Sequence, residues 1–471
     1  MVAEVRSTLE EMMRRVRAVV GVDHARLTGP SDGLLADWWP LALKGAAAAQ
    51  QAGQPLLIVQ PADAIETAAV LRLCAESQIP VTAGGGGSGV VGAAVPGQPG
   101  VLLSMQRLDR IGAFSEIDGT IVAGAGTIGG EVERWLRERG RTLGFLPRSL
   151  ELSSVGGWVA TGATGAVSGR YGGVAERVVS LEVALTDGTL VKIPAMPRWG
   201  AGPDPRALFI GSEGTLGVVT EVTFAAPMLP ASRLLRALWL PTLTAGLETL
   251  RESAQSGIGP ASVALYDENE TARHRELHGK DGPGCLLLFA CEGRAEMAAA
   301  QEQCLQAVAA MQGASALPGA IAEKWDAGRQ RRPEWFLALR QAGALADSVD
   351  IQAPWSKLEP LHAAIRQALA GDCDTVSMTF PEIHETGACC MVTFTIAAGD
   401  DTEAVTRYAR AWETLMRVTL ANGGAIAHHH GIGLARAGWL APQLGEAAEP
   451  LRRLKRGFDP GGLLNPGKLP V

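Results

Sequence analysis

The sequence predicts an α+β chain folded as two or three domains, and three features carry that expectation. Near the N-terminus, Leu56–Pro61 (LLIVQP) is a short apolar run, Asp63-Ala-Ile-Glu66 has the spacing of a capping box, and Ile79–Thr82 returns to an apolar run. That order reads as strand, helix, strand. Further on, Asp187-Gly188 separates Ser180–Ala184 from Leu190–Ile193; such a pair favours the turn whose twist matches that of two paired strands. From Phe224 to Pro230 the chain becomes FAAPMLP, a composition that marks a linker. At 471 residues there is length for more than one core.

The elements follow in order. The opening MVAEVRSTLEEMMRRVRAVVGV mixes Glu and Arg at helical spacing, without the continuous apolar run of a signal peptide or membrane span. The helix begun at Asp63 is expected to reach about Ser77, with Ile65, Ala69, Leu73 and Cys74 along one face. Val101–Met105 and Thr120–Ala125 read as strands, and a helix near Gly130–Arg139 should stop at Gly140. Beyond the linker, Ala-rich helical stretches alternate with short strands to about residue 424, after which Gly and Pro return.

Composition limits the function. Hydrophobic content of 47% and charged content of 19% are ordinary for a globular protein. Glycine, 58 of 471 residues, exceeds the usual share of about 7% and fits a backbone that wraps a ligand. A net charge of −7 with no basic run speaks against nucleic acid as a partner. Seven cysteines, odd in number and without a Cys-x-x-Cys pair, read as reduced thiols of a cytoplasmic protein. Peripheral membrane contact and a homodimer are both compatible with the chain.

The densest glycine stretch is Pro80–Gly92, PVTAGGGGSGVVG. Bare backbone lets N–H groups approach an anion without a Cβ in the way, so Gly84, Gly85, Gly86, Gly87, Ser88 and Gly89 read as a pyrophosphate cradle. A flexible surface loop is the other reading. The loop does not open a helix, as a Gly-x-Gly-x-x-Gly dinucleotide turn would.

Four further segments accompany it: PRSLELSSVGG (147–157), continued by WVATGATGAVSGRYGG to Gly173; GPDPRALFIGSEGTLGVVT (202–220); AHHHGIGLAR (427–436); and FDPGGLLNPGKLP near the end. In this order the five resemble the FAD-linked oxidase superfamily, which includes vanillyl-alcohol oxidase, D-lactate and glycolate dehydrogenases and alkylglycerone-phosphate synthase. The resemblance spans nearly the whole chain and is weakest over 230–424. It implies a two-lobed FAD-binding domain of the FAD-linked oxidase (PCMH) type over 1–228 and a separate α+β cap domain over 229–424. Residues 425–471 would return to the first domain carrying the histidines. By position, the glycine loop would line the FAD pyrophosphate. Pro147, Ser153, Ser154, Gly156, Gly157, Thr161, Gly162 and Gly165 would pass the flavin and ribitol. Gly211, Glu213, Gly214, Gly217, Val218 and Val219 would meet the adenosine end, and Lys468 would join the cofactor site from the C-terminus. Where some members attach FAD through a loop histidine this chain has Ser88, and no cysteine matches a thioether position, so the resemblance implies non-covalent FAD.

His428, His429 and His430 are the acid–base candidates. On a strand, adjacent side chains alternate, so all three cannot face one metal ion. His430-Gly431-Ile432-Gly433 matches the 2-hydroxy-acid dehydrogenases, where a Glu precedes the His; His429 stands there instead. The triplet, with Arg436 and Trp439, resembles the synthase. The resemblance implies His430 as base, His429 assisting and His428 mattering least, since a neutral imidazole can take a hydroxyl proton while hydride leaves the same carbon. Two departures bear on this. Glu385–Phe394 (ETGACCMVTF) lacks the ligands of the metal-dependent dehydrogenases, so no metal is expected. Met391 stands where the synthase has a Tyr. Arg329, after Trp325, is the nearest candidate for a substrate-binding Arg, and Asp350–Trp355 (DIQAPW) matches the cap segment.

Two functions follow from the resemblance. One is an FAD-dependent oxidoreductase acting on a hydroxylated small molecule, such as the 2-hydroxy acids D-lactate or glycolate, with a carrier or oxygen as electron acceptor. The other is a synthase-like transferase using FAD without net oxidation.

Overall fold

The computed structural model describes residues 2–28, 37–40, 56–329, 343–397 and 401–469. Three sheets organise them. The first contains β1 (Ala25–Leu27), β2 (Leu56–Val59), β3 (Val81–Gly84) and β4 (Gly100–Ser104) in the order β1-β2-β4-β3. β2 and β3 both run parallel to β4, so the helix Ala64–Glu76 is the crossover between them. Asp63 caps the helix, accepting from Glu66 N at 2.9 Å, while the Glu66 carboxylate accepts from Ala62 N, one residue before the cap, at 2.7 Å. The buried face agrees with the expected one at Cys74 and departs from it at Ile65. Thr67, Ala68, Val70, Leu71 and Cys74 are buried, whereas Ile65 is 73% exposed. Both stripes have helical spacing, and the sheet takes the one that lays Val70 and Leu71 against Leu57 and Val59. β3 starts two residues later than expected because Pro80 has no N–H to give the ladder. The N-terminal helix, Val2–Val20, packs Leu9, Met12, Val16 and Val20 into the same core.

The second sheet is antiparallel: β5 (Ile111–Ser115), β6 (Thr120–Gly124), β7 (Val178–Ala184), β8 (Leu190–Ile193) and β9 (Val218–Ala225), in the order β5-β6-β9-β7-β8. The β7–β8 hairpin turns at Gly188 (φ +84°), with Asp187 Oδ1 accepting from Thr189 N at 2.8 Å. The expected linker is shorter than its composition indicates. Phe224 and Ala225 belong to β9, where Phe224 pairs with Ile121 and is fully buried, so the connection covers only 226–231.

The third sheet has seven antiparallel strands: β10 (Ser232–Leu240), β11 (Ser262–Tyr266), β12 (Cys285–Gly293), β13 (Ser315–Ala316), β14 (Leu345–Pro354), β15 (Thr375–His384) and β16 (Gly387–Ile396), in the order β13-β10-β12-β11-β15-β16-β14. β12 reads CLLLFAC because both its faces are covered. Leu287 and Phe289 face the main helical core, and Leu286 and Leu288 face Ile321 and Trp325. The chain then returns: Ala425 bridges Gln352 on β14, and Leu464 bridges Val81 on β3. The C-terminal segment thus touches both the cap sheet and the strand that feeds the glycine loop. Six of the cysteines are buried and Cys304 is exposed, all free thiols. Among the described residues no helix is long and apolar enough to cross a membrane.

Candidate active site

β3 delivers the glycine loop onto the segment Leu152–Ser154. A Cβ on Gly85 would collide with the Ser154 hydroxyl, and one on Gly86 with the Leu152 carbonyl and the Ser153 backbone. The positive φ, +67°, belongs to Gly87, so the constraint at Gly86 is close approach rather than backbone conformation. Among the described residues, Gly86, Gly87, Ser88 and Gly89 donate no backbone hydrogen bond. From outside, Trp38 N donates to Gly89 O at 2.7 Å, and Asp37 accepts from Gly92 N at 2.8 Å. Burial pushes the Asp37 carboxyl up to about 6.

The segment that the sequence resemblance places along the flavin is the helix Val155–Thr161 and its flanks. Ser154 caps it, Ser153 Oγ accepts from Trp158 Nε1 at 2.7 Å, and Gly156 lies too close to the Ala125 backbone for any side chain. Gly162 (φ +66°) ends the helix, and Gly165 packs on the Leu146–Pro147 backbone. The GSEGTLG turn docks on this helix's C-terminal end: Gly211 N and Glu213 N donate to Val159 O and Ala160 O, each at 2.8 Å. Gly211 and Gly214 carry positive φ, as does Glu213 at +50°. Gly217 packs against Val183 and Phe209. Val218 and Val219 send their side chains into two different cores, leaving only their backbone for a ligand. Lys468 is buried with Nζ on the Val95 carbonyl, and burial pushes it down to about 8 against the charges of Glu213 and Asp37.

Glu213 also reaches beyond its own turn. Its carboxylate accepts from Ile432 N and, at 3.0 Å, from Gly433 N, while its carbonyl accepts from Asn465 Nδ2 at 2.7 Å. It therefore ties the adenosine-end turn to the histidine segment. Thr161 lies beside that segment too, its methyl 3.7 Å from where a Gly431 Cβ would stand. Five segments distant in sequence thus converge, with free amides and glycine surfaces that admit no side chain. That lining fits a flat, polyanionic dinucleotide.

The histidines are held from the opposite side by Asp350 on β14. Its Oδ2 accepts from the backbone N–H groups of His428, His429 and His430 at 2.8, 2.6 and 3.0 Å. Its Oδ1 accepts from Arg436 Nη2 at 2.6 Å and lies 3.0 Å from His430 Nδ1, off the line of a well-formed hydrogen bond. Burial opposes ionisation of Asp350, but Arg436 and the imidazoles outweigh it and hold the carboxyl well below its usual range. Arg436 is itself fully buried, donates to Gly431 O at 2.7 Å and lies over Trp412. Met391 pairs with Asp350 across β14 and β16.

Sequence reasoning missed His384, Glu382 and the role of Asp350. Two aspartates inside the strand-like run of β14, where acids are rare, were the available signal. His384 Nε2 stands 2.8 Å from His428 Nε2, and His428 Nδ1 stands 2.9 Å from His429 Nδ1. Burial, then the neighbouring His384, pushes His428 down to about 4; burial and His430 hold His429 well below its usual value. Burial likewise pushes Glu382, beside the Thr164 hydroxyl and the Glu176 charge, up to about 7. The ligand atoms of Glu382, His384 and His428 lie within 4.8 Å of one another, as do those of Cys389, His428 and His429 and of Asp350, His429 and His430. Two nitrogens on one tetrahedral zinc, each about 2.0–2.1 Å from it, would stand roughly 3.3 Å apart. The two N···N contacts are shorter and have hydrogen-bond length.

Arg329 reaches from the cap to the flank of the helix Val155–Thr161, where its Nη2 donates to Ala166 O at 2.9 Å. Its Nη1 is buried without a hydrogen-bond partner among the described residues, the Asp326 carboxylate being 3.8 Å away. Burial, then the nearby Arg148, pushes Arg329 down to about 10.

A two-sheet cofactor-binding unit under a seven-stranded cap, with histidines and a buried aspartate at the junction, is the architecture of a flavin-dependent oxidase. The FAD binding domain family matches residues 55–194, and the FAD linked oxidases C-terminal domain matches 229–469. The chain belongs to the FAD-linked oxidases, and its cofactor is FAD. An FAD-linked oxidoreductase of Escherichia coli (strain K12), YgcU, is 30% identical over 353 residues, covering 72% of each chain. The mitochondrial D-lactate dehydrogenase [cytochrome] of Arabidopsis thaliana is 27% identical over 423 residues, covering 88% of this chain and 73% of that one. An alkyldihydroxyacetonephosphate synthase structure superposes with a TM-score of 0.80 at 21% identity, over 97% of this chain and 86% of that one.

Gly86→Leu should fold but purify with little flavin, because its side chain would enter the space of the Leu152 carbonyl and lift the loop from its seat. Flavin per folded monomer, read from absorbance, checks this; full occupancy would show that the loop is not the phosphate cradle.

Proposed function

We propose that the protein oxidises a hydroxylated small molecule bearing a carboxylate, a 2-hydroxy acid of the D-lactate or glycolate type, and that it does so in the cytoplasm. The observation that carries this reading is the Asp350 carboxylate, which holds the three histidine amides, Arg436 and the His430 ring together. When bound, FAD supplies a two-electron acceptor for hydride. His430 Nδ1 lies 3.0 Å from Asp350 Oδ1 without a well-formed hydrogen bond to it, and Nε2 is the nitrogen that would take the hydroxyl proton. The ionised Asp350 then stabilises the imidazolium, as a buried carboxylate does for a general base.

Arg329 supports an acidic substrate. Among the described residues this buried guanidinium has an Nη1 without a hydrogen-bond partner, with Asp326 3.8 Å away and a second Arg beside it, and a substrate carboxylate would offer it paired hydrogen bonds. The similarity to a D-lactate dehydrogenase points the same way. The histidine triplet and the synthase-like fold favour a second reading, a transferase in which FAD undergoes no net reduction. Under either reading the flavin is held non-covalently, Ser88 standing where a linking histidine would be.

Acid precipitation should leave the flavin in the supernatant; flavin remaining on the polypeptide would overturn the non-covalent reading. Under anaerobic conditions a 2-hydroxy acid should bleach the flavin without return of colour, whereas a transferase would regain its colour. His430→Asn should retain flavin and slow that bleaching by roughly 10²–10⁴-fold, the usual contribution of a general base. An unchanged single-turnover rate would move the base elsewhere. Arg329→Met should raise KM for a hydroxy acid by about 10–100-fold, the worth of a hydrogen bond to a charged group, and leave KM for a neutral alcohol unchanged. Steady-state kinetics on the two substrates checks it, and equal effects on both would remove Arg329 from substrate binding.

A further inference from the structure

We propose that Arg233 is a positioning residue for substrate binding: by engaging the Asp326 carboxylate it keeps Asp326 off Arg329, and so leaves Arg329 to take the carboxylate of a hydroxy acid. The inference rests on the proposed part of Arg329. It gives a function to a cap ion pair that the oxidation itself does not use.

Chain position sets up the competition. Asp326 lies in the last turn of the helix Gly319–Gly328, and Arg329 is its C-cap. Residues three apart on a helix are neighbours, so these opposite charges are each other's default partners. Their side chains nevertheless make no hydrogen bond: Arg329 Nη1 stands 3.8 Å from Asp326 Oδ1. The carboxylate is engaged from the sheet instead. Arg233 Nη2 donates to Asp326 Oδ1 at 2.8 Å, and Arg233 Nε reaches Oδ2 at 3.4 Å, so the guanidinium edge meets both oxygens. Arg233 is fixed on β10, directly across from Glu292 on β12, whose carboxylate accepts from Nη1, while the Ser262 hydroxyl accepts from Nη2 at 3.2 Å.

Arg329 keeps its place without an acid. Its guanidinium carbon lies 4.5 Å from the centre of the Trp325 ring, and Nη2 donates to Ala166 O at 2.9 Å. The two arginines respond in opposite directions around the one carboxylate they share. Burial lowers both, but Asp326 and then Glu292 outweigh it and hold Arg233 above its usual range. At Arg329 burial and the neighbouring Arg148 prevail over Asp326, and the group is pushed down to about 10. Asp326 thus serves Arg233 first. Without Arg233 the carboxylate is released to close the gap to Arg329 Nη1, and a substrate carboxylate must then displace it.

Steady-state kinetics on a 2-hydroxy acid and a neutral alcohol test this in the holoprotein. Arg233→Met should raise KM for the hydroxy acid by about 10-fold, the lower end of the worth of a hydrogen bond to a charged group. Its kcat, and KM for the alcohol, should stay at the wild-type values. Adding Asp326→Asn to that variant should restore KM, because an amide brings no charge to the competition. A packing role for Arg233 would not be restored in this way, so a raised KM that persists in the double variant overturns the proposal, as does an unchanged KM in Arg233→Met. Loss of Arg233 uncovers the buried Glu292, and Asp326→Asn alone decides the matter if Arg233→Met does not fold. Removing the charge beside Arg329 should lower KM for the hydroxy acid several-fold, and a KM at or above wild type would overturn the proposal. A second measurement needs no turnover: equilibrium dialysis of pyruvate, the oxidised form of lactate, against the oxidised holoprotein. Dissociation constants should rank as the KM values do. Equal constants in wild type and Arg233→Met, or no binding to wild type, would overturn the proposal. Failure of every hydroxylated substrate to bleach the flavin would instead overturn the oxidation, with the pyruvate constants still deciding whether Arg233 governs anion binding.

Discussion

The buried Asp350 carboxylate is the interaction on which the rest of this site depends. An isolated charge in an apolar interior is untenable, and removing one partner of a buried pair costs about 3–5 kcal/mol. Asp350 is fully buried and remains charged because three successive amides and a fully buried guanidinium surround it. These donors come from the C-terminal segment, and the acceptor comes from β14 of the cap. The charge therefore joins two parts of the chain and sets the orientation of the histidines in the same act.

A second carboxylate works from the cofactor side. Glu213, in the turn before β9, receives Ile432 and Gly433, so the segment 428–433 is gripped at both ends by acids distant in sequence. Lys468 and Arg436 supply the nearby positive charge. Asn465 adds hydrogen bonds to Ala93 O and Glu213 O, and Leu464 bridges Val81. The C-terminal segment is thus a strap that registers the glycine loop, the adenosine-end turn and the cap against each other.

Electrostatics in the site are organised by keeping imidazoles neutral beside a carboxylate kept ionised. Burial acts on both, but Arg436 and the imidazoles reverse its effect at Asp350, while at His428 and His429 the Asp350 charge does not outweigh it. At the cap's other contact, with the flank of the helix Val155–Thr161, the balance has the opposite sign. Arg329 and Arg148 concentrate positive charge near Ala166, two residues from Thr164, which Glu382 faces.

The sequence by itself determined the parts whose chemistry is local. Close backbone approach needs glycine, so the loop at 84–89, the Gly156 contact and the turn at 211–217 were legible as residues. The helix cap at Asp63 and the Asp187-Gly188 hairpin likewise need only neighbours a few positions away. Where two local solutions were equally good, sequence chose wrongly: the helix after Asp63 buried the Val70–Leu71 stripe instead of Ile65, because the sheet beneath it made the choice. Tertiary structure alone decided the partners of the histidines. Asp350 lies 78 residues from His428, and His384 lies 44 residues away, on strands whose pairing brings them together. No pattern within a segment encodes that meeting, since it arises from the strand order of the cap and from a C-terminal strap drawn in by two buried charges.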